Sequence, residues 1–130
     1  MSRKVKPHQK LELDKIEKQR HNNFNGNQVV SDLLKNMGLW YSAIFGNHLD
    51  YTKKHDVIAQ LINQARDITN GDTLYLLTDE KNYDKLLVLA HNWGYDDVDE
   101  MDKRSSAYKL LGRMGEHDKK NYRLLILWWD

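Results

Sequence analysis

Residues 122–129 read Tyr-Arg-Leu-Leu-Ile-Leu-Trp-Trp (YRLLILWW), the strongest strand candidate in the chain. An apolar run of about 4–8 residues suits a buried strand, whereas a helix needs roughly 10 or more. Successive side chains of a strand point to opposite faces, so Trp128 and Trp129 must lie on different sides of a sheet. The second side is then either covered by helices or open to a partner, for which tryptophan is a common anchor. A second run, Thr73 to Thr78 (TLYLLT), is equally short and mostly apolar. It fits a strand covered on both faces.

Between and before these runs the periodicity changes. Leu39 to Phe45 (LWYSAIF) is aromatic and β-branched enough for a third strand. Val29, Val30, Leu33, Leu34 and Met37 recur at helical spacing, with Gly38 as the expected stop. Val57, Ile58, Leu61, Ile62, Ala65 and Ile68 form the clearest amphipathic pattern, closed by an Asn70-Gly71 turn. Tyr83, Leu86, Leu87, Ala90 and Trp93 predict a further helix, capped by Asp79 and ended by Gly94. Tyr95 to Val98 is a candidate short strand. Ser105 or Ser106 then caps a helix carrying Tyr108, Leu111 and Met114, with Gly115 at its end. Alternating strands and helices predict an α/β (or α+β) fold: a three- to four-stranded sheet with helices packed on it, some strands being parallel.

Residues 1–27 are expected to stand apart as a basic arm, either flexible or a weakly docked helix, with residues 21–27 (HNNFNGN) as a loop. Residues 28–130 are read as one globular domain, which the length of 130 residues allows. There is no cysteine, which excludes disulfides, thiol catalysis and cysteine-bound zinc. No apolar run is long enough for a bilayer, and the charged start has no apolar leader. A small soluble cytoplasmic protein is therefore expected.

The net charge of +1 hides a pattern. Residues 1–20 carry +4, residues 21–71 are neutral, residues 72–102 carry −7 and residues 103–130 carry +4. The acidic block contains Asp96, Asp97, Asp99, Glu100 and Asp102 (DDVDEMD), which lack the spacing of a calcium-binding loop. No metal is assigned to them. They are expected to form an acidic surface, with Trp128 and Trp129, for a basic partner. At the two ends, Arg3, Lys4, Lys6 and Lys10, and then Lys119, Lys120, Tyr122 and Arg123, combine cations with aromatics and could grip phosphates. Gly112 and Gly115 belong to no phosphate-binding motif.

Ligands of open α/β sheets gather beyond the carboxyl ends of strands. That places His48 and Asp50 after one strand and Asp79 after another, and Tyr95 joins them as a weaker catalytic candidate. Helix capping by Asp79 and a solvent-exposed His48 are the simpler account. No P-loop, nucleophile elbow or zinc-protease motif occurs.

The stretch from Leu49 to Val98 resembles the C-terminal half of GNAT-type N-acetyltransferases. Leu49-Asp50-Tyr51 and Lys53-Lys54 stand where that family has its coenzyme A loop. Leu74, Leu76, Thr78 and Asn82 match its next strand, and Gly94-Tyr95 its helix end. The resemblance implies an acyltransferase fold. The loop glycines that cradle pyrophosphate are replaced by Lys53, His55 and Val57, so it implies lost or altered catalysis and no coenzyme is predicted. Residues 52–79 also resemble part of a ribonuclease H-like sheet, but only Asp79 matches that family's carboxylates.

The leading expectation is a non-enzymatic protein-binding module. Its Asn-, Lys- and Asp-rich, cysteine-free composition is of the kind phages and mobile elements use for inhibitors of host proteins. The alternatives are a divergent GNAT-like acyltransferase or other small-molecule transferase, and a nucleic-acid-binding protein using the basic arm. A homo-oligomer is a further alternative.

Overall fold

A computed structural model describes residues 7–18, 20–21, 24–45, 58, 73–99 and 104–129. The two apolar runs become the two long central strands. Strand β4 (Thr73–Asp79) and strand β6 (Tyr122–Trp128) pair antiparallel over their whole length, from Thr73 opposite Trp128 to Asp79 opposite Tyr122. Strand β3 (Ser42–Phe45) flanks β4, and strand β5 (Asp97–Asp99) flanks β6, giving the order β3-β4-β6-β5.

Every neighbouring pair in this sheet is antiparallel, which corrects the expectation of parallel strands. The β4–helix–β5 crossover does bring the chain back in the same direction. The last strand, β6, then inserts between β4 and β5 and runs against both. An apolar strand gains most from a central slot, where both edges are hydrogen-bonded and both faces are covered.

Helices cover both faces. On the first face, Ala43, Phe45, Leu74, Leu76, Leu125 and Leu127 meet residues of helix α2 (Gly26–Lys35) and helix α3 (Tyr83–Ala90). On the second, Ile44, Tyr75, Leu77, Leu124 and Ile126 meet Ala107 and Leu111 of helix α4 (Ser106–Asp118), together with Ile58. The alternation along β6 is the period-two pattern that its sequence implied. Each fully buried Leu or Ile stabilises the fold by about 1.5–3 kcal/mol before the entropy of ordering it.

The N-terminal segment is not a loose arm where it is described. Helix α1 (Pro7–Glu17) buries Gln9, Glu12, Leu13 and Ile16, and Leu13, Ile16 and Phe24 belong to the first core. The Gln9 side-chain amide donates to the Ala43 carbonyl at 2.8 Å, and its carbonyl accepts from the Ala43 N–H at 3.1 Å. Gln9 thereby makes the two bonds a neighbouring strand would make, and closes the outer edge of β3.

Other boundaries shift for local reasons. The expected loop before α2 contains a small antiparallel pair, β1 (Arg20–His21) with β2 (Phe24–Asn25). Asn25 then caps α2 by accepting from the Gln28 N–H, and a β-carbon on Gly26 would run into the backbone carbonyls of Ile16 and Glu17. Helix α2 ends at Lys35, and Gly38 sits inside a following 3-10 turn, Met37–Leu39. Gly94 does end its helix in the left-handed region (φ 68°). Helix α4 begins with Ser105 accepting from the Tyr108 N–H, as expected, but runs through Gly115 to Asp118. Gly115 instead lets the Lys120 carbonyl approach the helix closely. The predicted amphipathic helix at residues 57–68 and its Asn70-Gly71 turn lie outside the described residues, apart from Ile58, which is buried.

Candidate functional site

The two ends of β6 carry the polar residues singled out in the sequence. Six residue steps separate them, which is about 20 Å at a strand's rise.

At the carboxyl end of β6, register places Asp97 opposite Trp128 and Asp99 opposite Ile126. Directly paired residues share a face, so Asp97, Asp99 and Trp128 stand on the α4 side of the sheet. Asp96, Asp97 and Asp99 are exposed, and Trp128 is partly exposed. The Asp96 N–H donates to the Trp128 carbonyl at 2.9 Å, extending the pairing one residue before β5. On the other side, Val98 and Tyr95 pack against the first core, and the Tyr95 ring tilts over His91 with centroids 6.0 Å apart. Glu100 and Asp102 lie outside the described residues.

Trp129 faces the other way and is only 2% exposed. Its ring meets Phe24 edge-on at 4.6 Å, and its indole N–H donates to the Trp93 carbonyl at 3.1 Å. It is a core residue that no partner reaches while the fold is closed. The indole N–H of Trp93 donates to Asp32, and that of Trp40 to the Leu33 carbonyl. Among the four tryptophans, Trp128 is thus the one offered to the surface.

At the amino end of β6 lies Asp79. Its carboxylate accepts from the Tyr41 hydroxyl at 2.6 Å and from the Asn82 N–H at 2.8 Å. Helix α3 starts only at Tyr83 with Asn82 as its cap residue, so Asp79 closes the turn ahead of the helix rather than capping it. Asp79 and Tyr95 belong to opposite ends of the sheet and do not form a joint site. His48 and Asp50 lie outside the described residues, as does the 49–54 segment that carried the acetyltransferase resemblance.

Burial works against ionisation of Asp79. The hydrogen bonds from Tyr41 and Asn82 and the charge of Lys81 outweigh it and hold the carboxyl below its ordinary value. A depressed carboxyl stabilises the fold above its unfolded pKa, and that contribution is lost as pH falls through the folded value. Tyr41→Phe is therefore expected to raise the Asp79 titration midpoint toward its unfolded value and to shrink the stability that this carboxyl loses on acidification. Carbon-detected NMR titration of the carboxyl in both proteins checks this; coincident midpoints would refute the assignment.

Around this end the side chains interlock. Tyr41 meets Tyr122 edge-on at 5.7 Å, and the Lys120 ammonium sits 4.3 Å from the Tyr41 ring centre. Arg123 donates to both Glu80 oxygens at 2.8 and 2.9 Å and lies 4.1 Å over the Tyr83 ring. Burial disfavours the Arg123 charge, but Glu80 outweighs it and keeps the guanidinium firmly protonated. A cleft of about 340 Å³ opens here between α4 and the start of β6. Lys119, Lys120, Tyr122 and Arg123, grouped in the sequence as a basic and aromatic cluster, all line it. Tyr108, Gly112 and Gly115 complete its α4 wall. The sequence held no signal for Tyr41 and Glu80, which join the cluster only through β-sheet register. Lys10 is exposed on α1, while Arg3, Lys4 and Lys6 lie outside the described residues.

Among the described residues no group of three or more His, Asp or Glu side chains is placed to hold a metal. None of their helices is long and apolar enough to cross a membrane. These features define a mixed α/β protein whose antiparallel four-stranded sheet is layered between helices. Comparison with known protein families, with curated proteins and with solved structures finds no match to this chain.

Proposed function

We propose that this chain is a non-enzymatic binding module that docks a basic protein surface along the β5 edge. One observation carries the reading: exposed Asp97 and Asp99 lie on the outermost strand, on the same face as the partly exposed Trp128. An aromatic ring beside charges of one sign supplies what a specific contact needs. The ring contributes buried area, and the carboxylates steer an oppositely charged partner. The same charges oppose pairing of this edge with a second copy, since like charges would face one another. A partner of opposite sign therefore fits this edge better than a homo-oligomer does.

The test compares the wild type with a triple variant, Asp96→Asn, Asp97→Asn and Asp99→Asn, in affinity capture from lysate at moderate salt. Exposed substitutions of this kind are expected to change stability by no more than about 0.5 kcal/mol each. The triple variant should melt like the wild type and lose a basic protein that the wild type retains. Capture of the same proteins in the same amounts would sink the proposal. Trp128→Ala should weaken the same contact, chiefly by faster dissociation.

A further inference from the structure

At the opposite end of β6 from the proposed docking edge, the cleft between α4 and β6 has the features of a ligand site. Its volume of about 340 Å³ falls within the range of small-molecule pockets. We infer that it binds a nucleoside monophosphate or a phosphorylated ring compound of that size. The ring half is built by Tyr108, Leu111 and Tyr122, which offer flat and apolar surface to a base. The charged half is built by Lys119 and Lys120. With Glu80 taken up by Arg123, these two lysines outnumber Glu116, and they suit a phosphate as compact cations. The carbonyls of Glu116 and Gly115 at the end of α4 accept from the Lys119 and Lys120 N–H groups, and the Lys120 ammonium lies over the Tyr41 ring.

Gly112 gives an independent reason to regard the opening as a site. It sits within α4, where glycine costs roughly 1 kcal/mol relative to alanine. A β-carbon there would meet no atom of the described residues within 4 Å, so their packing does not require the glycine, unlike Gly115. What the missing side chain preserves is the open cleft that Gly112 lines.

The experiment uses the full chain with the four ribonucleoside monophosphates, adenosine, inorganic phosphate and a short single-stranded oligonucleotide, read by thermal shift and calorimetry. At least one monophosphate at millimolar concentration should raise the melting temperature by about 2–5 °C. Gly112→Leu fills the cleft with a better helix former and should abolish the shift. Lys119→Asn with Lys120→Gln removes both charges while suiting the left-handed backbone at Lys119 (φ 58°). That double variant should weaken binding about tenfold or more, and it supplies the test if Gly112→Leu fails to fold. The inference is overturned by any of four results: no shift from any monophosphate; an equal shift from phosphate or adenosine alone; binding unchanged in the variants; or oligonucleotide binding that survives Gly112→Leu.

Discussion

Trp129→Ala is expected to cost about 3–5 kcal/mol of stability, a large share of the roughly 5–15 kcal/mol that keeps a typical domain folded. The indole is almost fully enclosed, so its removal leaves a cavity against Phe24, which stacks edge-on with it at 4.6 Å. It also deprives the Trp93 carbonyl of a donor at 3.1 Å. Trp128→Ala, one residue earlier, is expected to cost clearly less, because that ring keeps part of its surface in water. Urea unfolding of both variants separates the cases. Equal losses would contradict the opposite facing of the two rings, and with it the use of Trp128 as a surface anchor. The pair thus tests fold and proposed function together.

Gln9→Leu should be the second most damaging change, although a polar residue on a short N-terminal helix would ordinarily be thought dispensable. Leucine is close to glutamine in size but has neither donor nor acceptor. The Ala43 N–H and carbonyl would both stay buried without the partners they have at 3.1 and 2.8 Å. An unsatisfied buried polar group costs about 1–3 kcal/mol, so the pair amounts to about 2–6 kcal/mol. Helix α1 is also what separates the β3 edge from other chains, so the variant should associate with increasing concentration as that edge becomes able to pair. Denaturant unfolding gives the stability, and light scattering with concentration gives the association. A variant as stable and as monomeric as the wild type would show that Gln9 is not what closes the edge.

Strands and helices were legible where local chemistry is sufficient. β4 and β6 are apolar runs of strand length, Ser105 is an N-cap whose oxygen finds the Tyr108 N–H, and Gly94 takes a positive φ. The helix boundaries depart from expectation where a glycine does not act as a stop: α2 ends at Lys35, ahead of Gly38, and α4 runs through Gly115 to Asp118. Gly115 serves a backbone contact with Lys120 five residues later, and nothing in its immediate neighbours signals that. Part of the candidate cleft was visible as the Lys119, Lys120, Tyr122 and Arg123 cluster. Its partners Tyr41 and Glu80 are 79 and 43 residues from Lys120 and Arg123 respectively, beyond any local pattern. The acidic residues at 96–99 were visible as charge, but their place beside Trp128 follows from strand pairing.

By itself the sequence determined strands β3, β4 and β6 and helices α2, α3 and α4, the absence of cysteine chemistry, the segregation of charge and the opposite facing of Trp128 and Trp129. All of these follow from residue type and from periodicity along a few neighbouring positions. Only the tertiary structure decided that β6 enters between β4 and β5 and makes the sheet antiparallel. It alone decided that α1 closes the β3 edge through Gln9, that Trp129 rather than Trp128 is the core residue, and that the C-terminal basic cluster frames a cleft. The physical reason is common to these cases. Strand order, edge closure and face choice are settled by which long-range arrangement buries most apolar surface while satisfying every backbone group, and that balance is made between segments far apart in the chain.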